Sequence, residues 1–198
     1  MKLTTTRRLG ATDAAKLLGV SKYGGPLDVF NRIVLGIDAK VNKQMLRGTK
    51  YEPEVRRRYV EATGATLQQF VVRPFIVEHP LHHWATSSPD DITTDGVLVD
   101  LKTASRWAKG WGEGPPIDYT LQCLWSLWVT GLEHAHLYAA FGEDGDKTRP
   151  GEFFIARCQL YELLRDDELG EIFAEVGERF WRTCIEPKQP PTEEQPHV

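Results

Sequence analysis

The chain has 198 residues, of which 41% are hydrophobic and 26% are charged, so it can bury a sizeable core and has the composition of an ordinary globular protein. No stretch approaches the ~20 apolar residues that a membrane span needs, and the N-terminus lacks the features of a signal peptide. Three isolated cysteines argue against a disulfide scaffold and an all-cysteine metal site. We therefore expect a cytoplasmic protein with no membrane partner.

The net charge of −4 is unevenly distributed along the chain. Residues 1–60 carry +8, whereas residues 61–160 and 161–198 carry −6 each. A basic N-terminal third can meet the phosphates of a nucleic acid. The alternative, a solvated face of charged helices, fits the charge count equally well.

The predicted elements begin with helices and then change to strands. Helices are predicted at residues 11–19, 26–35, 43–63 and 118–130. Gly48 and Pro53 interrupt the third, so we expect its regular part to be residues 52–63, closed by Gly64. Strands are predicted at residues 65–73, 74–79, 84–87, 97–102, 135–141 and 152–158. Residues 159–184 read as an acid-rich amphipathic helix or helix pair.

This order predicts an α/β fold, with a central mixed sheet flanked by helices. Residues 1–186 form a single domain in this interpretation. Residues 187–198 are rich in proline and glutamate and read as a disordered tail.

The stretch SSPDDITTDGVLVDLKT, residues 87–103, places charged residues in a strand of valines and leucines. Asp100 and Lys102 are two apart, so their side chains project from one face of the strand. A turn at Asp95–Gly96 would close a hairpin and bring Asp90 alongside Asp100.

Two carboxylates held close together repel each other unless a cation lies between them. Oxygen ligands of this kind suit Mg²⁺ or Mn²⁺. A lysine beside them can orient a water and stabilise charge on a phosphate, which is what phosphodiester hydrolysis requires. The alternative is that Asp90 caps a turn and that Asp100 and Lys102 form a surface ion pair.

The chain resembles the YqaJ-type viral recombinases, the phage alkaline exonucleases of the PD-(D/E)xK nuclease superfamily that include lambda exonuclease. Four stretches carry the resemblance in the family's order: LGATDAAKLLGVSKYGGP, RGTKYEPEVRRRYVEATG, the Pro-Asp…Asp-x-Lys core and YTLQCLWSLWVTG. The resemblance implies a restriction-endonuclease-like core.

The resemblance also implies roles for residues at the matching positions. Asp90, Asp100 and the Leu101 carbonyl would bind the metal, and Lys102 would position or activate the attacking water. Glu52 would hold a second metal or its water, and Gln122 would fix Lys102 or the water. Candidates for binding the DNA 5′-phosphate or lining the site are Ser88, Thr12, Arg8, Arg7, Tyr119 and Trp107. Apart from the resemblance, Trp107 and Trp111 read mainly as core or interface residues, with stacking on DNA ends as the alternative.

Two positions depart from the family's sequence. The second metal-binding acid is often glutamate, whereas here it is the shorter Asp100. The residue after Pro-Asp is usually glycine, whereas here it is Asp91, which we interpret as a bystander.

The expected function is therefore a Mg²⁺-dependent exonuclease, with Mn²⁺ as a substitute, that digests linear duplex DNA 5′→3′ and leaves a 3′ single strand for recombination. The resemblance implies a homotrimer around DNA ends, a single-strand annealing protein as partner, and a phage or prophage gene expressed in bacterial cytoplasm. The alternatives are an endonuclease of the same superfamily and a non-catalytic DNA-binding fold.

Overall fold

The computed structural model describes residues 7–70, 74–145, 148–149 and 151–192. Within these residues no helix combines the length and the apolar character that crossing a membrane takes. The predicted tail at 187–198 is described only as far as residue 192, and the remainder lies outside the described residues.

The described residues form five α-helices and six strands. The helices are α1 (Ala14–Leu17), α2 (Pro26–Phe30), α3 (Lys43–Thr63), α4 (Ile117–Thr130) and α5 (Asp167–Phe180). A 3-10 turn, Ala11–Asp13, leads into α1, and π-helical turns extend α2 over Asn31–Leu35 and α5 over Trp181–Ile185. The strands are β1 (Val77–Glu78), β2 (Thr86–Ser87), β3 (Asp91–Ile92), β4 (Val97–Ser105), β5 (His134–Asp144) and β6 (Phe153–Leu164).

Four of the strands form a mixed sheet in the order β3-β4-β5-β6. The central pair β4 and β5 is parallel, while β3 and β6 are antiparallel to their neighbours. The parallel pair requires a crossover connection, and α4 supplies it. This mixed sheet with flanking helices confirms the predicted α/β fold.

Helices cover both faces of the sheet, and the apolar residues of β4 divide between them. Val99 and Leu101 pack against Val55 and Tyr59 of α3. Leu98 lies on the opposite face, in a cluster with residues of α4. A third core joins α1, α2, α4 and α5 around two buried tryptophans, Trp84 and Trp125. Asp100 and Lys102 therefore lie on the α4 face of the sheet.

Helix α3 is longer than predicted, because it runs through Gly48 and Pro53 without a break. The Asn42 side chain caps its first turn by accepting a hydrogen bond from the Met45 amide at 2.9 Å. Arg47 then donates to Thr103 on β4, and its guanidinium lies over the Phe153 ring. These tertiary contacts outweigh the weak helix propensity of the two residues. Gly64 ends the helix as predicted, with a φ of 69°.

The predictions for residues 65–73 and 159–184 are wrong in part. Within 65–70 only Leu67 makes a bridge, to Thr93, while 71–73 lie outside the described residues. Residues 159–164 continue β6, since they pair with β5 as far as Leu164. Helix α5 begins only at Asp167, where the Asp166 carboxylate caps it by accepting from the Leu169 amide.

Candidate active site

The candidate site lies where β3 ends and leaves one edge of β4 uncovered. Strand β3 pairs only with Val99 and Leu98, so β4 from Asp100 onward has no β3 partner on that side. The predicted hairpin turn is present, with Gly96 at a φ of 88° and the Thr93 amide bonded to the Val97 carbonyl. The hairpin places Asp90 beside Asp100, as predicted from the turn.

Asp90 closes the uncovered edge with its side chain. Its Oδ2 accepts a hydrogen bond from the Leu101 amide at 2.6 Å. In an extended strand the N–H and C=O of one residue point to the same side. The Leu101 carbonyl oxygen therefore faces the Asp90 side of β4, where the resemblance requires a metal-binding carbonyl.

On the α4 face of the sheet, the Asp100 carboxylate contacts both Lys102 and Gln122. The Lys102 ammonium lies 2.5 Å from its Oδ2, and the Gln122 amide donates to its Oδ1 at 3.3 Å. Apart from the ion pair, the buried Oδ2 accepts no hydrogen bond from the described residues. Gln122 thus reaches the site as expected, but its contact is Asp100 rather than Lys102.

The electrostatics of the cluster follow from the closeness of its charges. Burial, and then the charge of Asp100, raises the pKa of Asp90 to about 7. Burial disfavours the ammonium form of Lys102, but the Asp100 and Asp90 carboxylates outweigh it and raise the pKa of Lys102. Lys102 is therefore a cation at neutral pH, which suits it to hold a water or a phosphate oxygen.

Glu52 is held at the rim of the site by Arg56, one turn later on α3. The Arg56 guanidinium donates to Glu52 Oε1 at 2.7 Å and also forms an ion pair with Asp91. It reaches the Asp90 carbonyl at 3.4 Å as well. Glu52 is near enough to contribute to the raised pKa of Asp90, although its effect is smaller than that of Asp100.

Asp91 is more than the bystander that the sequence suggested. Its side chain is fully buried, and its pairing with Arg56 ties α3 to β3. The neighbouring Arg57 and Arg58 pair with Glu54 instead. The i, i+4 spacing of Glu52 and Arg56 was the available signal, whereas the pairing with Asp91 depends on the tertiary fold.

The donor set fits a hard divalent cation such as Mg²⁺ or Mn²⁺. It offers two close carboxylates and a carbonyl oxygen, and a dication between Asp90 and Asp100 would relieve the repulsion that raises the pKa of Asp90. Over the ranges that the structure covers, no three His, Cys, Asp or Glu side chains converge to hold a metal. The Leu101 carbonyl and water would therefore have to complete the coordination shell of a cation bound by Asp90 and Asp100. Glu52 is held in an ion pair with Arg56.

Tyr119 lines the site on the side of α4. The Lys102 ammonium lies 5.3 Å from the centre of its ring, within range of a cation–π contact. Burial, and then a hydrogen bond with the Tyr23 hydroxyl, raises the pKa of Tyr119 to about 12. The influence of Tyr23 on Tyr119 shows that the loop before α2 lies next to the site. No motif in the sequence predicted this arrangement.

The candidate phosphate-binding residues lie around β2 rather than on β4. Leu9 bridges to Ala85, which places the turn containing the exposed Thr12 beside this strand. Ser88 is exposed and donates to the Phe75 carbonyl at 2.9 Å. Arg8 pairs with Glu78 on β1, and Arg7 is exposed. Within the described part of the chain, these hydrogen bonds and ion pairs of the four residues do not reach Asp100 or Lys102.

The two tryptophans after β4 have opposite environments. Trp107 is 73% exposed, with the Arg106 guanidinium 4.6 Å from its ring centre. Trp111 is buried against Tyr119 and Phe141. Trp107 can therefore meet a nucleic acid, whereas the ring of Trp111 belongs to the core, as its main interpretation from the sequence predicts.

A scan of protein families matches residues 4–133 to the YqaJ-like viral recombinase domain. Among solved structures, the chain is similar to LHK-Exo, an alkaline exonuclease from Laribacter hongkongensis. The complex of LHK-Exo with dAMP gives a TM-score of 0.65 at 20% identity, covering 89% of this chain and 87% of the other. A phage-related exonuclease from Haemophilus somnus 129PT gives 0.66 at 13% identity, with 92% and 96% covered. A search of curated protein sequences found no match.

Proposed function

This chain belongs to the family of the YqaJ-like viral recombinase domain, and on that premise we propose that it is a metal-dependent deoxyribonuclease of the PD-(D/E)xK type. One observation carries the proposal. The Asp90, Asp100 and Lys102 side chains meet at the uncovered edge of β4, although burying charges there costs stability. Such an arrangement serves chemistry on a phosphodiester.

In this proposal, some side chains of the site bind the metal and others position the attacking water or a neighbouring side chain. Asp90, Asp100 and the Leu101 carbonyl would hold Mg²⁺, and Glu52 would hold a second ion or a water. When bound, the metal would lower the pKa of a coordinated water and polarise the phosphate. Lys102, kept cationic by its two aspartate neighbours, would position the attacking water and stabilise charge on the phosphate. Gln122 would fix the orientation of Asp100 through its hydrogen bond.

We further propose that the enzyme degrades linear duplex DNA from its 5′ ends and leaves a 3′ single strand. Thr12, Ser88, Arg8 and Arg7 lie in the region around β2 and are proposed to hold the terminal 5′-phosphate. The basic N-terminal third supports an electrostatic attraction to DNA, since residues 1–60 carry +8. A homotrimer around the DNA and a single-strand annealing protein as partner complete the proposal, with the bacterial cytoplasm as the site of action.

The decisive experiment compares three DNA substrates: 5′-phosphorylated linear duplex, 5′-hydroxyl linear duplex and covalently closed circular duplex. We expect Mg²⁺-dependent release of nucleotides from the linear duplexes, faster with the 5′-phosphate, and no attack on the circle. Cleavage of the circle would identify an endonuclease instead. Binding without cleavage would identify a non-catalytic fold.

Variants test the site itself. Asp100→Ala and Lys102→Ala should each lower the rate on linear duplex by at least roughly 10²-fold, because the first removes a proposed metal ligand and the second removes the cation proposed to stabilise charge on the phosphate. Glu171→Ala, which removes an exposed acid on α5, is the matched control and should retain the full rate. Unchanged activity in both site variants would contradict the assignment.

A further inference from the structure

Residues 20–25, here called the Tyr23 loop, connect α1 to α2 and lie against the first turn of α4. The Ser21 hydroxyl donates to Asp118 at 2.5 Å, and the Tyr23 amide donates to the Ser21 hydroxyl at 3.0 Å. Two hydrogen bonds thus hold the Tyr23 loop against the first turn of α4.

The far end of the loop is fixed as well. Gly24 has a φ of 131°, and a Cβ at this position would overlap the Asp28 carboxylate. That carboxylate accepts a hydrogen bond from the Gly25 amide at 2.9 Å. The loop backbone around Tyr23 is therefore held in place before any ligand arrives, which lowers the entropy cost of binding.

The Tyr23 ring is exposed in spite of these anchors. It is 59% exposed, and the Lys22 ammonium lies 5.0 Å from its ring centre. The loop is anchored on Asp118 through Ser21, and the next residue of α4, Tyr119, has the Lys102 ammonium 5.3 Å from its ring centre. The loop thus offers a flat apolar surface with a cation beside it, next to the catalytic lysine.

We propose that Tyr23 stacks on a base of the nucleotide adjoining the cleaved phosphodiester, while Lys22 meets the phosphate of that nucleotide. Ring stacking tolerates any base, because every base presents a π-face, and this suits an enzyme that must act on every sequence. A lysine contributes a phosphate contact that is also independent of sequence. This inference rests on the proposed nuclease function.

The test uses the full chain with Asp100→Asn in the background to prevent cleavage. The probes are 5′-phosphorylated duplexes that carry 2-aminopurine at the first, second, third or tenth nucleotide from the 5′ end, with Mg²⁺ present. We expect quenching by the ring at the first or second position and none at the tenth. Tyr23→Ala should remove this quenching and weaken binding by roughly 5- to 50-fold, the usual range for one stacked base.

Tyr23→Phe separates stacking from a purely structural role. It keeps the ring but loses the hydroxyl that influences Tyr119, so quenching should persist and binding should stay within about twofold of the parent. A loop that mattered only through its anchoring would instead show equal losses in Tyr23→Phe and Tyr23→Ala, which would overturn the inference. Lys22→Ala should weaken binding and lower its salt dependence by about one counterion.

Leu164→Ala is the matched surface control. Leu164 is 64% exposed at the end of β6. In the sheet, Lys102 lies beside Ala139 of β5, which lies beside Gln159 of β6, and Leu164 is five residues further along β6. A loss in this variant equal to that of Tyr23→Ala would also overturn the inference. The nuclease proposal is tested separately, by digestion of linear DNA with the chain that keeps Asp100. If this chain digests DNA while Tyr23→Ala leaves the quenching unchanged, only the role of Tyr23 is rejected.

Discussion

Asp90 occupies a position where its own negative charge destabilises the folded chain. Its pKa is raised to about 7, first by burial and then by Asp100, whereas an aspartate in an unfolded chain titrates near 3.9. The folded state therefore binds the proton more tightly. The stabilisation that this proton provides is complete below about pH 4 and is lost as the pH rises through about 7.

Asp90→Asn should therefore stabilise the metal-free protein. In chelator at pH 8 we expect a rise in Tm of roughly 2–6 °C, since each kcal/mol shifts the Tm of a chain this size by about 2–4 °C. The amide carries no charge to be repelled by Asp100 and still offers an oxygen to the Leu101 amide. Thermal melts between pH 4 and pH 9 measure the difference, which should disappear at the acidic end.

Mg²⁺ supplies the control for this variant. A ligand that binds the folded state raises its stability, so Mg²⁺ should raise the Tm of the parent chain and leave that of Asp90→Asn nearly unchanged. A variant that melts below the parent at pH 8 in chelator would contradict the repulsion argument.

At the scale of elements, two helical glycines occupy opposite environments. Gly48 lies inside α3, where an added Cβ would meet nothing within 4 Å. Gly177 lies inside α5, where an added Cβ would overlap the ring of the buried Trp84. Glycine costs a helix about 0.5–1 kcal/mol relative to alanine, so only packing distinguishes the two positions.

The same substitution should therefore have opposite effects at these positions. Gly48→Ala should raise the free energy of unfolding by about 0.5–1 kcal/mol, and Gly177→Ala should lower it by about 1–3 kcal/mol, since overpacking displaces the tryptophan. Urea unfolding at constant pH measures both. A stabilising Gly177→Ala would mean that α5 can move away from Trp84 without loss.

How far the sequence predicts these elements depends on the range of the contacts involved. The Asp90–Asp100 hairpin is local, so turn residues and alternation were enough to predict it. The continuation of α3 through Pro53 depends on contacts with Thr103 and Phe153. The spacing of apolar residues in the sequence carries no information about such contacts. Likewise, the ion pair of Asp91 could not be predicted from the sequence, because its partner Arg56 is 35 positions away. Residues 159–164 showed apolar spacing compatible with either a strand or a helix, and pairing with β5 decided it.

At the scale of the whole molecule, exposed apolar side chains concentrate in one part of the chain. Eight of the fifteen large exposed hydrophobic residues among the described positions lie between residues 20 and 46. Tyr23 is the residue that we propose stacks on DNA, and the other seven are Val20, Leu27, Leu35, Ile37, Val41, Met45 and Leu46. Exposed apolar patches are typical of surfaces that are covered in an assembly, so we propose that this segment contributes to the contact between subunits.

Native mass spectrometry should accordingly give three times the mass of one chain. Leu46→Glu changes a residue that is 62% exposed in the first turn of α3, so the subunit should fold normally. It should shift the population towards smaller species, because a buried charge without a partner opposes association. A parent chain that is monomeric at all concentrations would contradict the ring proposal.

The hairpin that holds Asp90 and Asp100 also has a consequence for protein synthesis. Asp90 and Leu101 are eleven positions apart, whereas Gln122 contacts Asp100 from 22 positions further along the chain. At about 5–20 residues per second, the ribosome adds those 22 residues in roughly 1–4 seconds. During that interval a nascent chain can already close the hairpin and bring two carboxylates together before α4 covers them. If Mg²⁺ binds this pair as proposed, free Mg²⁺ in the cell can neutralise it at that stage, and the proposed metal site then forms before the rest of the domain is complete.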